Sequence, residues 1–239
     1  MDKRAFLKIV RTWESDAVKM ALAQDPSLAS FRDQIGKTPL HHCAEIDPQK
    51  FGLKVGESLK TARVLVAAGA DINAIRIIID DGEEFHASPL WYAVAWGKNY
   101  ELVRVLLENG ARPDDNAVGS AIWDQDLRMA TLLHKYGGNI DHDSHGQTPL
   151  VRTVKAKRLQ LLKWLIANGA DINFRDSKGY NVLHYAASGS HTLAQVEELL
   201  RRGARPDLRA KDGSTPISLA EGKNKGKLTE LMKSFLTPL

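Results

Sequence analysis

Thr148-Pro149-Leu150-Val151 stands 21 residues ahead of Gly169-Ala170-Asp171-Ile172-Asn173, and this pair of signals decides how the chain folds. The first signal recurs as Thr38-Pro39-Leu40-His41, Ser88-Pro89-Leu90-Trp91, Asn181-Val182-Leu183-His184 and Thr215-Pro216-Ile217-Ser218. The second recurs as Ala68-Gly69-Ala70-Asp71-Ile72-Asn73, and in degenerate form around Gly110, Gly137 and Gly203. Gly137, Gly169 and Gly203 are separated by 32 and 34 residues, a period that marks stacked repeats rather than one globular core.

Each unit has a physical reading. Thr before Pro starts a helix: the hydroxyl accepts from orphan backbone N–H groups, and Pro at the first position loses no hydrogen bond. Small residues follow, as in Cys43-Ala44, Ala93-Val94 and Ala186-Ala187, and let neighbouring helices approach closely. The second helix, Leu159-Gln160-Leu161-Leu162-Lys163-Trp164-Leu165-Ile166, has too wide an apolar surface for a lone amphipathic helix. It is expected to pack on both flanking repeats. Asn168-Gly169 then ends it, with Gly suited to the left-handed position after a helix. The Asp-Ile-Asn segment and a following Asp-x-x-Gly, at Asp143-Ser144-His145-Gly146 and Asp176-Ser177-Lys178-Gly179, predict an extended turn.

Thr-Pro-Leu-His-x-Ala about 21 residues before Gly-Ala-Asp-Ile-Asn, at a period near 33, resembles the ankyrin repeat. The likeness covers nearly the whole chain. It implies an all-α solenoid of helix–turn–helix units with extended finger turns. Six or seven units are expected: a capping unit at 1–34, then 35–74, 75–114, 115–141, 142–174 and 175–207, and a terminal unit at 208–239.

Two stretches depart from the period. Between Thr38 and Gly69 lie 31 steps instead of 21, so about ten extra residues within 47–58 enlarge the link between two helices. From Asn73 to Ser88 is 15 steps, against 7 from Asp141 to Thr148, so residues 74–87 form a long finger. Its β-branched run Ile75-Arg76-Ile77-Ile78-Ile79 and Asp80-Asp81-Gly82 predict a hairpin. The next finger, at Asp114–Asn116, is almost absent.

The 239 residues carry a net charge of +4, with 43% hydrophobic and 26% charged residues, which argues against a disordered chain. No apolar run reaches the roughly 18–20 residues of a membrane span. The opening Met1-Asp2-Lys3-Arg4-Ala5-Phe6-Leu7-Lys8 meets charge too early for a secretory leader. Cys43 is the single cysteine, which excludes an internal disulfide and a cysteine-based zinc site. A cytoplasmic monomer is expected. The charge is uneven: residues 1–140 hold 17 basic and 19 acidic residues, and residues 141–239 hold 16 and 10.

Catalytic motifs are missing. There is no G-x-S-x-G, no G-x-G-x-x-G and no H-E-x-x-H. Gly222-Lys223-Asn224-Lys225-Gly226-Lys227 resembles a phosphate loop, but its spacing is one short and Leu228 replaces the Ser/Thr that would hold magnesium. His142 and His145 lie beside Asp141 and Asp143 in a predicted turn, a poor setting for a rigid metal site. The Asp80-Asp81-Gly82-Glu83-Glu84 cluster lacks the alternating ligands of a calcium loop. Cys43 falls on a small-residue position and is expected to be buried rather than reactive. No enzyme, cofactor or metal is expected.

Recognition remains. The resemblance implies that His41 and His184 are structural, bonding to neighbouring backbone. It also implies that a protein partner lies along the finger tips and the exposed ends of the first helices. Carried over by position, the row reads Glu45 and Ile46, Ala95 and Trp96, Trp123 and Asp124, Lys155 and Ala156, then Ser188 and Gly189. The fingers add Ile78, Asp81, His145 and Lys178. Around Trp96 and Ser188 one extra residue precedes the second helix, which shifts the register there by one. Trp96 and Trp123 are the expected anchors, while Trp91 and Trp164 are expected to pack inside. Lys155, Lys157, Arg158, Arg201, Arg202, Arg205, Arg209 and Lys211 raise nucleic acid or another anionic surface as the rival partner. They fall on different faces and lack an aromatic stacking platform, so nucleic acid ranks below a protein.

Overall fold

The first helices that start at Pro39, Pro89, Pro149, Val182 and Pro216 open on the predicted signal, and those that start at Lys3 and Asp115 open on an Asp N-cap instead. In the computed structural model, which describes residues 1–80, 82–142, 147–189 and 191–236, the chain divides into two compact units, Met1–Asn139 and Ile140–Leu239. The first contains α1 (Lys3–Arg11), α2 (Ser15–Gln24), a 3-10 turn (Pro26–Ala29), α3 (Pro39–Ala44), α4 (Pro48–Phe51) and α5 (Val55–Ala67). It continues with β1 (Arg76–Asp80), β2 (Glu83–Ala87), α6 (Pro89–Ala95), α7 (Tyr100–Glu108), α8 (Asp115–Trp123) and α9 (Leu127–Lys135). Here α1, α3, α6 and α8 stack in sequence, and α2, α5 and α7 stack beside them. The second unit contains α10 (Pro149–Lys155), α11 (Leu159–Ala167), α12 (Val182–Ser188), α13 (Leu193–Arg201), α14 (Pro216–Gly222) and α15 (Gly226–Lys233). Its first helices α10, α12 and α14 form one layer, and α11, α13 and α15 form the other.

The repeated side chains account for this stacking. Leu40, Leu90, Leu150 and Leu183, each two positions after the N-cap, are at most 1% exposed. Thr148, Ser88 and Thr215 accept from the backbone N–H three residues on. At Thr38 the ring of His41 does more. Its Nδ1 accepts from the Thr38 N–H at 3.1 Å, which places the ring proton on Nε2, 3.1 Å from the Ala87 carbonyl that precedes the next repeat. His184 repeats this arrangement from Asn181 to the Ser214 carbonyl. Burial pushes His41 down to about 4, as a neutral ring holding a backbone carbonyl requires.

The Asp-Ile-Asn segment is a brace as well as a turn. Asn73 donates to the Gly110 carbonyl at 3.1 Å and accepts from the Arg112 N–H at 2.9 Å, tying one finger to the end of the next repeat's second helix. Asn173 does the same with Gly203 and Arg205. The glycines before these segments, Gly69, Gly110, Gly137, Gly169 and Gly203, all have φ between 88° and 94°, where a Cβ would be strained.

The two departures from the period also have definite forms. The extra residues build α4, capped by Asp47 and ended by Gly52, and lengthen α5 to 13 residues. The finger is an antiparallel hairpin in the register Arg76↔Ala87, Ile77↔His86, Ile78↔Phe85, Ile79↔Glu84 and Asp80↔Glu83. This register puts Ile78 and Phe85 on one face with Trp91 against Phe85, and leaves Ile77 and Ile79 on the other, 54% and 65% exposed.

Candidate functional site

Trp96 and Trp123 end the first helices α6 and α8, which pack against each other. They are 62% and 65% exposed, although each belongs to a residue type that a stable core would normally absorb. The link beneath Trp96 is fixed from inside. Gly97 lies against the end of α3, where a Cβ would meet the Ala44 carbonyl oxygen at 2.3 Å, so only glycine fits. Lys98 reaches across to Asp124 at 3.0 Å and joins the links of the two tryptophan repeats. Trp91 is half-buried, as Trp164 is, and its indole N–H donates to Ser120 at 3.1 Å. The fully enclosed indole is Trp13, 1% exposed, which donates to the Cys43 carbonyl at 3.0 Å.

Glu45 and Ile46 sit at the end of α3 and are half-buried. Glu45 is engaged within the chain. It meets Lys37, the His42 Nδ1 at 2.9 Å and the Arg11 guanidinium at 3.7 Å, while the His42 Nε2 faces Asp33 at 2.8 Å. Burial pushes both carboxyls up, but hydrogen bonds from His42, joined by Lys37 at Glu45 and by backbone N–H groups at Asp33, prevail and hold them below the usual carboxylate range. The geometry therefore ties the capping repeat to its neighbour through Glu45. Ile78 is half-buried on the hairpin face that it shares with Phe85. Asp81 lies outside the described residues.

In the second unit, Lys155 ends α10, exposed, with its ammonium 4.8 Å from the Tyr185 ring centre. Lys178 is exposed in the Asp176-Ser177-Lys178-Gly179 turn, where Asp176 accepts from its N–H at 2.8 Å. Ser188 is half-buried at the end of α12. His145 lies outside the described residues, and His142 is half-buried. Among the described residues no group of three or more His, Cys, Asp or Glu gathers to hold a metal ion. Cys43 is buried between helices, and burial pushes its thiol up to about 12. Among the described residues no helix is long and apolar enough to cross a membrane.

Residues 90–176, 118–210 and 152–235 each match the profile for ankyrin repeats in three copies, and residues 35–76 match the single ankyrin repeat. The chain belongs to the ankyrin repeat family. Among proteins it resembles is an ankyrin repeat protein of Fowlpox virus (strain NVSL), FPV115, 30% identical over 122 residues, 47% of this chain and 21% of that one. Another is the nuclear factor NF-kappa-B p105 subunit of Gallus gallus, 28% identical over 91% of this chain and 22% of that protein. The chain therefore spans about a fifth of the length of each of these relatives. The ankyrin repeat domain of Bcl-3, a member of the IkappaB protein family, superposes with a TM-score of 0.72 at 21% identity, covering 95% of this chain and 97% of that one. The human ASB11 ankyrin repeat domain superposes at 0.63 and 22% identity, covering 98% of each. These likenesses establish an all-α ankyrin fold, of a family whose repeats are in general protein-interaction modules.

Within this ankyrin frame, the sequence reading missed how the links between paired helices are built. Trp13, Lys98, Gln125, Lys157 and Asn224 all have φ between 44° and 58°, and each stands one residue before the N-cap of a second helix. A search for glycine passes over this left-handed position, since here it is occupied by larger residues. The Lys98–Asp124 bridge was equally hidden, because its partners are 26 residues apart and meet only when repeats stack.

Proposed function

We propose that this ankyrin chain binds a protein partner on the first-helix ends around Trp96 and Trp123. The observation that carries the reading is the exposure of these two indoles on neighbouring helices, over links held by Gly97 and the Lys98–Asp124 bridge. Trp buries a large area with few rotatable bonds, so a preformed pair offers binding free energy at little ordering cost. The hairpin Arg76–Ala87 belongs to the same unit, and its exposed Ile77 and Ile79 are further apolar surface within it. In this reading the chain is a non-catalytic monomer of the cytoplasm that serves as an adaptor or an inhibitor. The NF-kappa-B and IkappaB proteins among its relatives lend that role its plausibility by analogy alone.

The test places a photo-crosslinking amino acid at Trp96 or Trp123 and, separately, on the opposite layer at Arg63. A partner captured from the native host at the first two positions and absent at the third supports the surface. Retention of that partner, at undiminished affinity, by folded Trp96→Ala and Trp123→Ala variants would show that it binds elsewhere.

A further inference from the structure

The four isoleucines exposed among the described residues are Ile35, Ile75, Ile77 and Ile79, and all lie on β1, just before it, or in the turn that meets its foot. Backbone parity sets Ile77 and Ile79 apart. In an antiparallel pair the N–H and C=O groups of one residue point to the same side, and that side alternates along the strand. The His86 carbonyl accepts from the Asn116 side chain of the next repeat at 2.9 Å, so His86 and Ile77 opposite it turn their backbone groups away from each other. The Ile75 carbonyl accepts from Arg32 of the capping unit at 2.8 Å, which gives the same parity from β1. The Ala87 carbonyl, one step out of phase with His86, points the other way and meets His41. The outward backbone groups of β1 therefore belong to Ile77 and Ile79.

At these two residues an open edge and an exposed apolar face coincide. Among the described residues no turn or side chain caps the N–H and C=O groups of Ile77 and Ile79, whereas β2 is capped at His86. Their side chains lie on the face opposite Ile78 and Phe85 and stand exposed. The hairpin is the one sheet among the described residues, so no other segment there combines these two features. A two-stranded sheet is marginal in water and is stabilised by a third strand laid on its free edge. Charge differs between the two ends of that edge. At the tip Glu83 and Glu84 are exposed; Glu84 faces His86 at 3.2 Å, and Glu83 has no cation within ion-pair distance among the described residues. At the foot Arg76 is already given to the Ile35 carbonyl and the Tyr92 hydroxyl.

We infer that the outer edge of β1 takes an extended segment of a partner protein as a third, antiparallel strand. The backbone groups of Ile77 and Ile79 hydrogen-bond to that segment, which carries branched apolar residues at the two positions opposite them. A lysine or arginine of the segment lies where it passes the tip, beside Glu83 and Glu84. The antiparallel ladder is the more stable one per residue. It puts the basic residue ahead of the apolar pair in the partner's sequence, because β1 runs from foot to tip. A second copy of this chain suits the edge less well. Laid antiparallel, its acidic tip would reach the foot of β1, where Arg76 is committed and offers it no free cation. The edge is independent of the Trp96 and Trp123 surface and stands or falls apart from it.

The test uses a fluorescein-labelled peptide of sequence Lys-Lys-Val-Thr-Val-Thr-Val, with fluorescence anisotropy read on the full chain. Ile79→Pro removes an outward N–H while leaving the bonds to β2 in place, as an edge position allows, and is expected to weaken binding at least about tenfold. Ile77→Thr/Ile79→Thr keeps β-branched residues and removes apolar contact, and is expected to weaken it by a similar factor. Circular dichroism and Tm confirm that both variants fold. N-methylation of the central valine, whose N–H faces β1, is expected to cost about tenfold, and N-methylation of a threonine beside it to stay within about threefold. Equal losses at the two kinds of position would show that no ladder forms and overturn the proposal. A peptide with Glu-Glu in place of Lys-Lys is expected to bind more weakly, and equal or tighter binding by it would overturn the proposal as well. Absence of binding by the lysine peptide would do the same, as would a dimer of the chain in sedimentation that Ile79→Pro dissolves, which would give the edge to a second copy. Trp96→Ala/Trp123→Ala is expected to leave the peptide's affinity unchanged, which separates failure of this edge from failure of the tryptophan surface.

Discussion

His41 shows how a repeat motif becomes a titration. Its ring is neutral in the fold because Nδ1 accepts from Thr38 while Nε2 holds the Ala87 carbonyl. Below its ordinary value of 6.5 the unfolded chain takes up a proton that the folded chain refuses until about pH 4. Stability therefore falls as pH drops from 6.5 to 4, by about 3 kcal/mol for this group alone. His184 is pushed down by burial and acts in the same direction. The carboxyls of Asp33 and Glu45 are held low by His42, so their contribution is lost further down, as pH falls through their depressed values. Thermal melts at pH 7 and pH 4.5 should show a large drop in Tm for the parent and a smaller one for His41→Gln, which starts from a lower Tm. An unchanged drop in His41→Gln would show that the imidazole does not set this window.

The links between paired helices make opposite demands on backbone and side chain. Gly97→Ala drives a methyl into the Ala44 carbonyl, a backbone atom that cannot step aside, and is expected to cost more than about 2 kcal/mol in urea unfolding. Gln125 is a larger residue held at φ 58°, so Gln125→Gly is expected to be neutral or to stabilise by up to about 1 kcal/mol. The contrast locates what could be read in advance. Helix starts at Thr148 and Ser88 and the hairpin follow from local chemistry and were legible, while the structural part of His41 and His184 was legible only through the family resemblance. So were the residue positions Trp96 and Trp123, through the repeat register. What stayed hidden depends on stacking: the network that engages Glu45, the Lys98–Asp124 bridge, and the bracing of one finger by Asn73 to the next helix end. The bridge and the brace join residues 26 or more positions apart in different repeats, and the Glu45 network gathers Arg11 and Asp33 of the capping unit with Lys37 and His42 around one buried ring.

At the scale of the whole molecule, charge and apolar surface are shared unequally between the units. Unit Met1–Asn139 has 17 basic against 19 acidic residues and carries the exposed tryptophans, while unit Ile140–Leu239 carries the positive excess. An ankyrin array distributes its interactions along the chain, so unlike surfaces can be altered without disturbing a common core. The hairpin adds a hazard to the first unit. A two-stranded sheet has two open edges, each able to template another chain, and here Ile77 and Ile79 sit exposed upon it. The carboxylates at its turn, Glu83 and Glu84 with Asp80 and Asp81 in sequence, are of the kind that keeps like edges apart by mutual repulsion. Glu83→Gln/Glu84→Gln should therefore raise light scattering at high protein concentration without lowering Tm, whereas unchanged scattering would leave the carboxylates without this part. A rise would make Glu83 and Glu84 a guard against aggregation, under which the finger keeps Ile77 and Ile79 exposed without pairing with its own copies.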